Sequence, residues 1–317
     1  MALKDELLKY FTMNTGEYTS GEELAKKFNV SRAAVWKAVS VLREDGFEII
    51  SSPSKGYCFS ASNDFLSSSA IHSLSKDTDA PVYVFETIDS TNNYARILTA
   101  QNAPHGTLIV ANHQSAGRGR QGHTFYSPKN LGLYFSLIVH PKNTQYISRI
   151  TPAAAVSAVH AIEKTSGLTP GIKWVNDLFI QKKKIAGILC EAISDFESGT
   201  ISAVIIGIGI NVRPMKFPEE LDGIADSLNS EALSRNALAA ELRNELLYWM
   251  DHLDDPDLME QYRRYSVILG KEILFTINNV GYHGIAKGIN DEGNLLIEKE
   301  DGSIQILQSG EISVKDW

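Results

Sequence analysis

Two arginines set among three glycines make the most chemically suggestive stretch of the sequence: Gln114-Ser115-Ala116-Gly117-Arg118-Gly119-Arg120-Gln121-Gly122-His123-Thr124-Phe125-Tyr126-Ser127-Pro128. Guanidinium forks suit bidentate contact with a phosphate or a carboxylate, and glycines let backbone N–H groups come close to a bound anion. The spacing Gly117, Gly119, Gly122 also fits G-x-G-x-x-G. A dinucleotide site, however, needs that motif to open a helix whose N-terminus holds the pyrophosphate. Here Pro128 and the strand-like run LGLYFSLIV follow instead, and no Walker A sequence occurs. An anion-clasping loop is preferred over an ordinary long surface loop.

Three further segments carry polar groups at unusual places. Lys173-Trp174-Val175-Asn176-Asp177 ends a strand that returns through Gln181-Lys182-Lys183-Lys184 into Ile185-Ala186-Gly187. A lysine at the base of such a hairpin can stabilise charge developing at phosphorus. Lys184 suits that role and a packing role equally, whereas Lys182 and Lys183 read as solvated charges. Ser90-Thr91-Asn92-Asn93, after Glu86-Thr87-Ile88-Asp89, stands where a strand gives way to a helix, so Ser90 or Thr91 could equally be a helix cap. Gly207-Ile208-Gly209-Ile210-Asn211 puts glycines inside an apolar strand, where a ligand or a packed neighbour must approach the backbone closely.

The elements that must position these groups follow from patterning. Leu3, Leu7, Leu8 and Phe11 mark one face of an opening helix. Ser20 and Glu23 form a capping box before LAKKF, and Ser31 caps a third helix with Val35, Val39 and Leu42 on one side and Gly46 at its end. FEIISS-PSKG-YCF reads as a hairpin. Helix, turn, helix, hairpin is the order of a winged helix-turn-helix. Residues 60–80 hold seven serines, yet Phe65, Leu66, Ile71 and Leu74 allow a short helix, so the segment is a partly structured linker. From 81 to about 213 six strand-like runs surround an alanine-rich helix at about 152–166, closed by Gly167. A mixed sheet with helices on one side is expected, an α/β or α+β domain. Residues 235–266 read as helical with Asn236 as the cap. Residues 270–317 read as short strands broken at Asn278-Asn279, Asp291–Asn294 and Asp301-Gly302, a small β-barrel-like tail.

Composition bounds the rest. The chain has 317 residues, 43% hydrophobic and 21% charged, which suits two or three globular domains and excludes disordered, fibrous and disulfide-scaffold classes. Cys58 and Cys190 form no ligand pattern and read as reduced thiols. With no signal-like start and no apolar run of about 20 residues, a cytoplasmic protein away from membranes is expected. The net charge of −8 argues against a general nucleic-acid binder. Residues 1–60 carry eight basic and eight acidic side chains, so the whole acidic excess lies beyond them, and a neutral head permits local DNA contact.

Taken together, the four polar segments resemble the bifunctional biotin protein ligases, the biotin–[acetyl-CoA-carboxylase] ligase and biotin operon repressor family. That family's order is a Ser-Thr-Asn segment, Q-x-x-G-R-G-R-x-G, K-W-P-N-D, K-x-x-G-I-L and a G-x-G-x-N strand, and all five stand here in that order. Val175 replaces the usual proline and Phe125 a frequent tryptophan, while Gln121 and His123 stand where arginines are common. The head and tail extend the resemblance over essentially the whole chain. It implies a multidomain α/β (α+β) fold: a winged helix-turn-helix at 1–62, a mixed-sheet class II biotin ligase catalytic domain at 63–268, and a small SH3-like β-barrel at 269–317.

The resemblance also implies a two-step reaction. Biotin and Mg·ATP are substrates, with no tightly bound prosthetic group, and they give biotinyl-5′-AMP. A lysine of a biotin carboxyl carrier protein then takes the biotin. Ser90, Thr91, Asn92 and Gln114 match the biotin-holding positions, and Arg118-Gly119-Arg120 the loop that folds over the adenylate. Lys184 matches the lysine bridging carboxylate and phosphate. Lys184, Arg120 and Arg118 would be the catalytic set, Phe125, Asn176 and Asn211 would join the two arginines around the adenylate, and Asp177 would attend the metal. Lys315 falls where the family can carry an arginine. Ser31, Arg32, Lys37 and Lys55 would meet operator DNA as part of a ligand-linked homodimer. The rival expectations are a non-catalytic biotin-sensing transcription factor, which would not need Arg118, Arg120 and Lys184, and a lipoate–protein ligase, against which G-R-G-R-x-G and K-W-x-N-D count.

Overall fold

Local capping fixes the start of the chain. The computed structural model describes residues 3–44, 47–60, 66–76, 78–194, 199–277 and 280–315. Ser20 and Glu23 satisfy each other's backbone donors as expected, and they open α2 (Gly21–Lys27) behind α1 (Leu3–Met13) and β1 (Tyr18–Thr19). The Ser31 hydroxyl accepts from Ala34 N at 3.1 Å at the start of α3 (Arg32–Glu44). The hairpin is β2 (Ile49–Ser52) and β3 (Gly56–Phe59), with β1 added beside β3. Leu7, Leu8 and Phe11 meet Leu24, Val35, Val39, Leu42 and Phe59 in one core. Gly46, Phe65 and the Asn278-Asn279 break lie outside the described residues.

The linker forms α4 (Ser68–Leu74), and it belongs to two cores at once. Ala70 packs into the head cluster, while Leu66, Ile71 and Leu74 pack into the body. The body begins with β4 (Val82–Phe85), α5 (Thr91–Ala100) and β5 (Leu108–Ala111), followed by β6 (Gly132–Val139) and α6 (Ile150–Ser166). Next come β7 (Gly171–Lys173), β8 (Asp177–Ile180), β9 (Lys183–Ser194) and β10 (Ile201–Asn211), then α7 (Arg235–Asp251) and α8 (Pro256–Tyr265). The seven strands lie in the order β4-β5-β6-β10-β9-β8-β7, parallel at β4–β5 and antiparallel elsewhere.

Strand alternation divides the apolar side chains between two faces. Leu108, Val110, Leu137, Val204 and Ile206 share a core with α6 and α7, while Ile109, Ile138 and Ile205 pack against Ala95 and Leu98 of α5. The helices therefore cover both faces, not the single face that patterning suggested. The run 235–266 is two helices, and the cap of α7 is Ser234, not Asn236. Asn236 sits one residue inside the helix, where its buried Oδ1 accepts from Ser67 N at 2.9 Å and ties the linker down.

The tail strands are β11 (Glu272–Ile277), β12 (Val280–Ile289), β13 (Leu295–Glu298), β14 (Ile304–Leu307) and β15 (Ile312–Val314). They form one antiparallel sheet in the order β14-β13-β12-β11-β15. Its turn at Asp291–Asn294 docks on the body. Trp174 Nε1 donates to Gly293 O at 2.9 Å, and Arg149 Nε to Asp291 O at 2.7 Å. Among the described residues no helix is long and apolar enough to cross a membrane.

Candidate active site

The sheet's central strands form the floor of a cleft of about 420 Å³, walled by the 114–125 loop, the β7–β8 turn, the segment around Leu221 and Ile224, and the tail residues 310–313. Its inner end is a polar network. Gln114 Oε1 accepts from Thr91 N (2.8 Å) and Thr91 Oγ1 (3.0 Å), and Gln114 Nε2 donates to Ser127 Oγ at 3.1 Å. Ser136, in the middle of β6, lies 2.7 Å from Thr91 Oγ1 and 2.5 Å from Asn92 Oδ1. Asn92 Nδ2 donates to Glu191 Oε2 at 2.8 Å, and Arg96 holds the other oxygen of that carboxylate. Ser90 is buried at the N-cap of α5 but makes no side-chain cap bond. Ser90 thus holds the N-cap position, as one expectation had it, without a side-chain cap bond, and it also lines the cleft.

The two strand glycines explain themselves through contact. A Cβ at Gly209 would stand 2.4 Å from the Phe125 ring, and one at Gly207 would stand 2.3 Å from Asn92 Oδ1. Phe125 thus lies directly on the strand, with Tyr134 edge-on to it at 6.4 Å between ring centroids.

The outer end of the cleft is cationic. Lys184 Nζ lies 2.7 Å from Asp177 Oδ1 across the β8–β9 hairpin. Gln181 and Lys182 both take positive φ in its tight turn. Lys173 also faces the cleft, and burial lowers its pKa, opposed by Asp177 and helped by Lys184. Arg120 Nη1 donates to Asn176 Oδ1 (3.2 Å) and Gly310 O (3.3 Å), so it joins the glycine loop to both the β7–β8 turn and the tail. On its far side lies a second cavity of about 610 Å³ that shares Arg120, Asn176, Ile188 and Leu189 with the first. Arg118, exposed, donates to Asn93 Oδ1. The loop is strapped by Gly119 N to His123 O at 2.7 Å and a short 3₁₀ turn at Arg120–Gly122, not by an α-helix, as reasoned from Pro128.

Ser90, Thr91, Asn92, Gln114, Arg118, Gly119, Arg120, Phe125, Asn176, Asp177 and Lys184 therefore come together in one cleft. Asn211 does not line it. Its Nδ2 donates to Asp226 O at 2.9 Å and its carbonyl accepts from Leu228 N, which anchors the segment carrying Leu221 and Ile224. Lys315 is likewise outside, paired with Glu272 at 2.9 Å. Among the described residues no cluster of three His, Cys, Asp or Glu side chains could hold a metal. Sequence reasoning missed Ser136 and Glu191, and it gave Lys173 no role although Lys173 opens the Lys173–Asp177 segment. Ser136 interrupts an otherwise apolar strand, and that interruption was the available signal.

On the head, Arg32, Lys37 and Lys55 are exposed, and Lys55 Nζ sits 5.5 Å from the Tyr18 ring centroid. Ser31 is exposed too, but its hydroxyl is engaged as the cap of α3.

A sheet cleft with a polar inner end, a cationic outer end and an arginine-bearing glycine loop suits a ligand that is neutral at one end and anionic at the other. Comparison with known proteins agrees. The profile of the biotin/lipoate A/B protein ligase family matches residues 84–211, an HTH domain profile 4–58, and the biotin protein ligase C-terminal domain profile 268–315. The chain is 35% identical to the bifunctional ligase/repressor BirA of Bacillus subtilis, covering 98% of each chain. It is 30% identical to BirA of Escherichia coli, covering 95% of this chain and 94% of that one. The biotin protein ligase from Aquifex aeolicus, solved in complex with biotin and ATP, superposes with a TM-score of 0.63 at 28% identity, covering 74% of this chain and 98% of that one. The chain belongs to the biotin protein ligase family.

Proposed function

We infer that this chain activates biotin with ATP, transfers it to a lysine of a biotin carboxyl carrier protein, and represses transcription from operator DNA through its head. The observation that carries the reading is the polarity of one continuous cleft. Hydroxyl and carboxamide groups of Ser90, Thr91 and Gln114 stand at one end, where Arg118 reaches Asn93, and Lys184 and Arg120 stand at the other. The inner groups suit a neutral ureido ring, which offers both donors and an acceptor. The apolar middle, Phe125 over Gly209, suits the rest of the biotin bicycle.

In the first step a biotin carboxylate oxygen attacks the α-phosphorus of Mg·ATP, a new P–O bond forms, and pyrophosphate leaves. Both reactants are anionic, so cations that hold them together lower the barrier by positioning and by neutralising charge in the transition state. Lys184 bridges the two groups, and Arg118 and Arg120 close on the phosphate. In the second step the carrier lysine amine attacks the acyl carbon, AMP leaves, and the nitrogen gives up a proton. Asn176, held by Arg120 and by its own bond to Ile188 O at 2.8 Å, supports the adenylate side, and Asp177 attends the magnesium of the nucleotide.

The proposal divides the chain into 1–62, 63–268 and 269–317, and places the protein in the cytoplasm as a homodimer when ligand is bound. Ser31, Arg32, Lys37 and Lys55 are its DNA contacts. Transfer of labelled biotin to a carrier protein tests the enzyme. ATP-dependent labelling of the carrier is expected. Transfer of lipoate but not biotin would favour a lipoate–protein ligase, and biotin binding without transfer would favour a sensor.

A further inference from the structure

One large apolar side chain of α3 is not used by the head's own core. Val35, Ala38, Val39 and Leu42 of that helix are buried, but Trp36, in its second turn, is 62% exposed. Tryptophan is on average one of the more deeply covered residue types, and helix propensity gives no reason for it here, since an alanine or a lysine would serve a solvated position better. Its surroundings have a definite pattern. Arg32 lies one turn earlier and Lys37 next to it, both exposed, and the first turn of α3 contains no acidic residue. Ser40, one turn later, directs its hydroxyl back to Trp36 O at 3.0 Å. The strip therefore has an apolar centre with cationic flanks.

The DNA major groove matches that pattern. Phosphates run along both walls to meet the cations, and among its base edges the apolar feature is the C5-methyl group of thymine. The N-terminal half of a recognition helix is the part that meets base edges, and Trp36 lies in that half. We propose that Trp36 reads a thymine methyl in the major groove, with Arg32 and Lys37 anchoring the flanking backbone. This rests on the DNA-binding reading above and adds the residue and the base that give it sequence preference.

The test uses the full-length protein with biotin and ATP to select duplexes from a random-sequence pool. The selected site should hold a thymine whose replacement by uracil, which removes only the methyl, weakens binding about fourfold, the value of burying one methylene-sized group. Trp36→Ala should bind the thymine and uracil duplexes equally. In the unaltered protein, 5-iodouracil at that position should crosslink on illumination to the tryptic peptide containing Trp36, a readout that stands even if the variant folds poorly. Three outcomes overturn the proposal: no uracil substitution weakens binding, Trp36→Ala shows the same loss as the parent, or the crosslink falls on another peptide. A pool that yields no duplex bound above random DNA overturns the DNA-binding reading beneath it and this inference together, whereas a selected duplex with no methyl dependence overturns only the role of Trp36.

Discussion

Lys184 and Asp177 face each other at 2.7 Å across the mouth of the β8–β9 hairpin, and a Cβ on Gly187, which pairs with Asp177 across the two strands, would come within 3.3 Å of the same ammonium. The lysine is thus fixed by a carboxylate on one side and by bare backbone on the other. Lys184→Ala should lower pyrophosphate release from biotin and ATP by about 10²–10³-fold, the usual loss for one electrostatic group acting in the transition state. Because the side chain is partly solvated, the melting temperature should stay near that of the parent. Wild-type pyrophosphate release would remove Lys184 from the mechanism. Asp177→Asn should instead raise the magnesium concentration needed for half-maximal rate.

Arg120 spans the glycine loop, the β7–β8 turn and the tail through two bonds longer than 3.1 Å. Ligand anions should compete for it and draw the loop inward. Trypsin cleavage after Arg118 or Arg120 should slow when biotin and ATP are added together, as followed by mass spectrometry. Arg120→Gly should let the activated intermediate escape, so that biotin appears on bystander lysines of an added protein.

Filling the strand floor should be costly in a defined way. Gly209→Ala drives a methyl into the Phe125 ring, and overpacking of this kind typically costs about 1–3 kcal/mol. Calorimetry should show weaker biotin binding together with a lower melting temperature. In Gly209→Ala combined with Phe125→Leu, part of the stability should return.

A histidine far from the cleft sets a pH slope. His160 Nδ1 lies 3.0 Å from Glu245 Oε2, and that hydrogen bond raises the imidazole pKa above its ordinary value against the opposing effect of burial. A raised folded-state pKa stabilises fully below the unfolded value of about 6.5 and is lost as pH climbs through the folded value. His105, whose pKa burial lowers, acts in the opposite direction, so the comparison must be with a variant. The stability difference between the parent and His160→Gln in urea should shrink from pH 6 to pH 8.

For the head, Lys55→Ala should weaken binding to every DNA sequence alike and reduce the slope of log affinity against log salt by about one. Arg32→Ala, which removes a second backbone anchor, should act in the same way, whereas Trp36→Ala should change which sequences are preferred. Fluorescence anisotropy over a salt series measures both.

Legibility in the sequence followed the range of the forces involved. The Ser20–Glu23 capping box and the Ser31 cap involve atoms three residues apart, and both could be read before any fold was known. The cleft residues were legible because glycine and arginine in that order are rarely needed for packing alone. Long-range facts were not. Which face α5 covers depends on Ile109, Ile138 and Ile205 alternating away from α6, on strands far apart in sequence. Asn236 resembled a cap, yet its partner is Ser67 N, 169 positions away. Asn211 fitted a motif, but it stands outside the cleft lining, with its Nδ2 bonded to Asp226 O.

The double membership of α4 has a practical meaning for anyone wishing to shorten this protein. Ala70 faces the head core, Ile71 and Leu74 face the body, and Asn236 and Asn244 of α7 hold the two ends of the linker through Ser67 N and Lys76 N. Cutting after the hairpin would leave a helix with a bared patch where α1 had been, while cutting after the helix would unroof the body and strand two carboxamide contacts on α7, that of Asn236 buried. The natural seam between reader and catalyst therefore runs lengthwise along a single helix, and a clean severing needs a resurfaced α4, with a polar residue at Ala70, not a shorter chain.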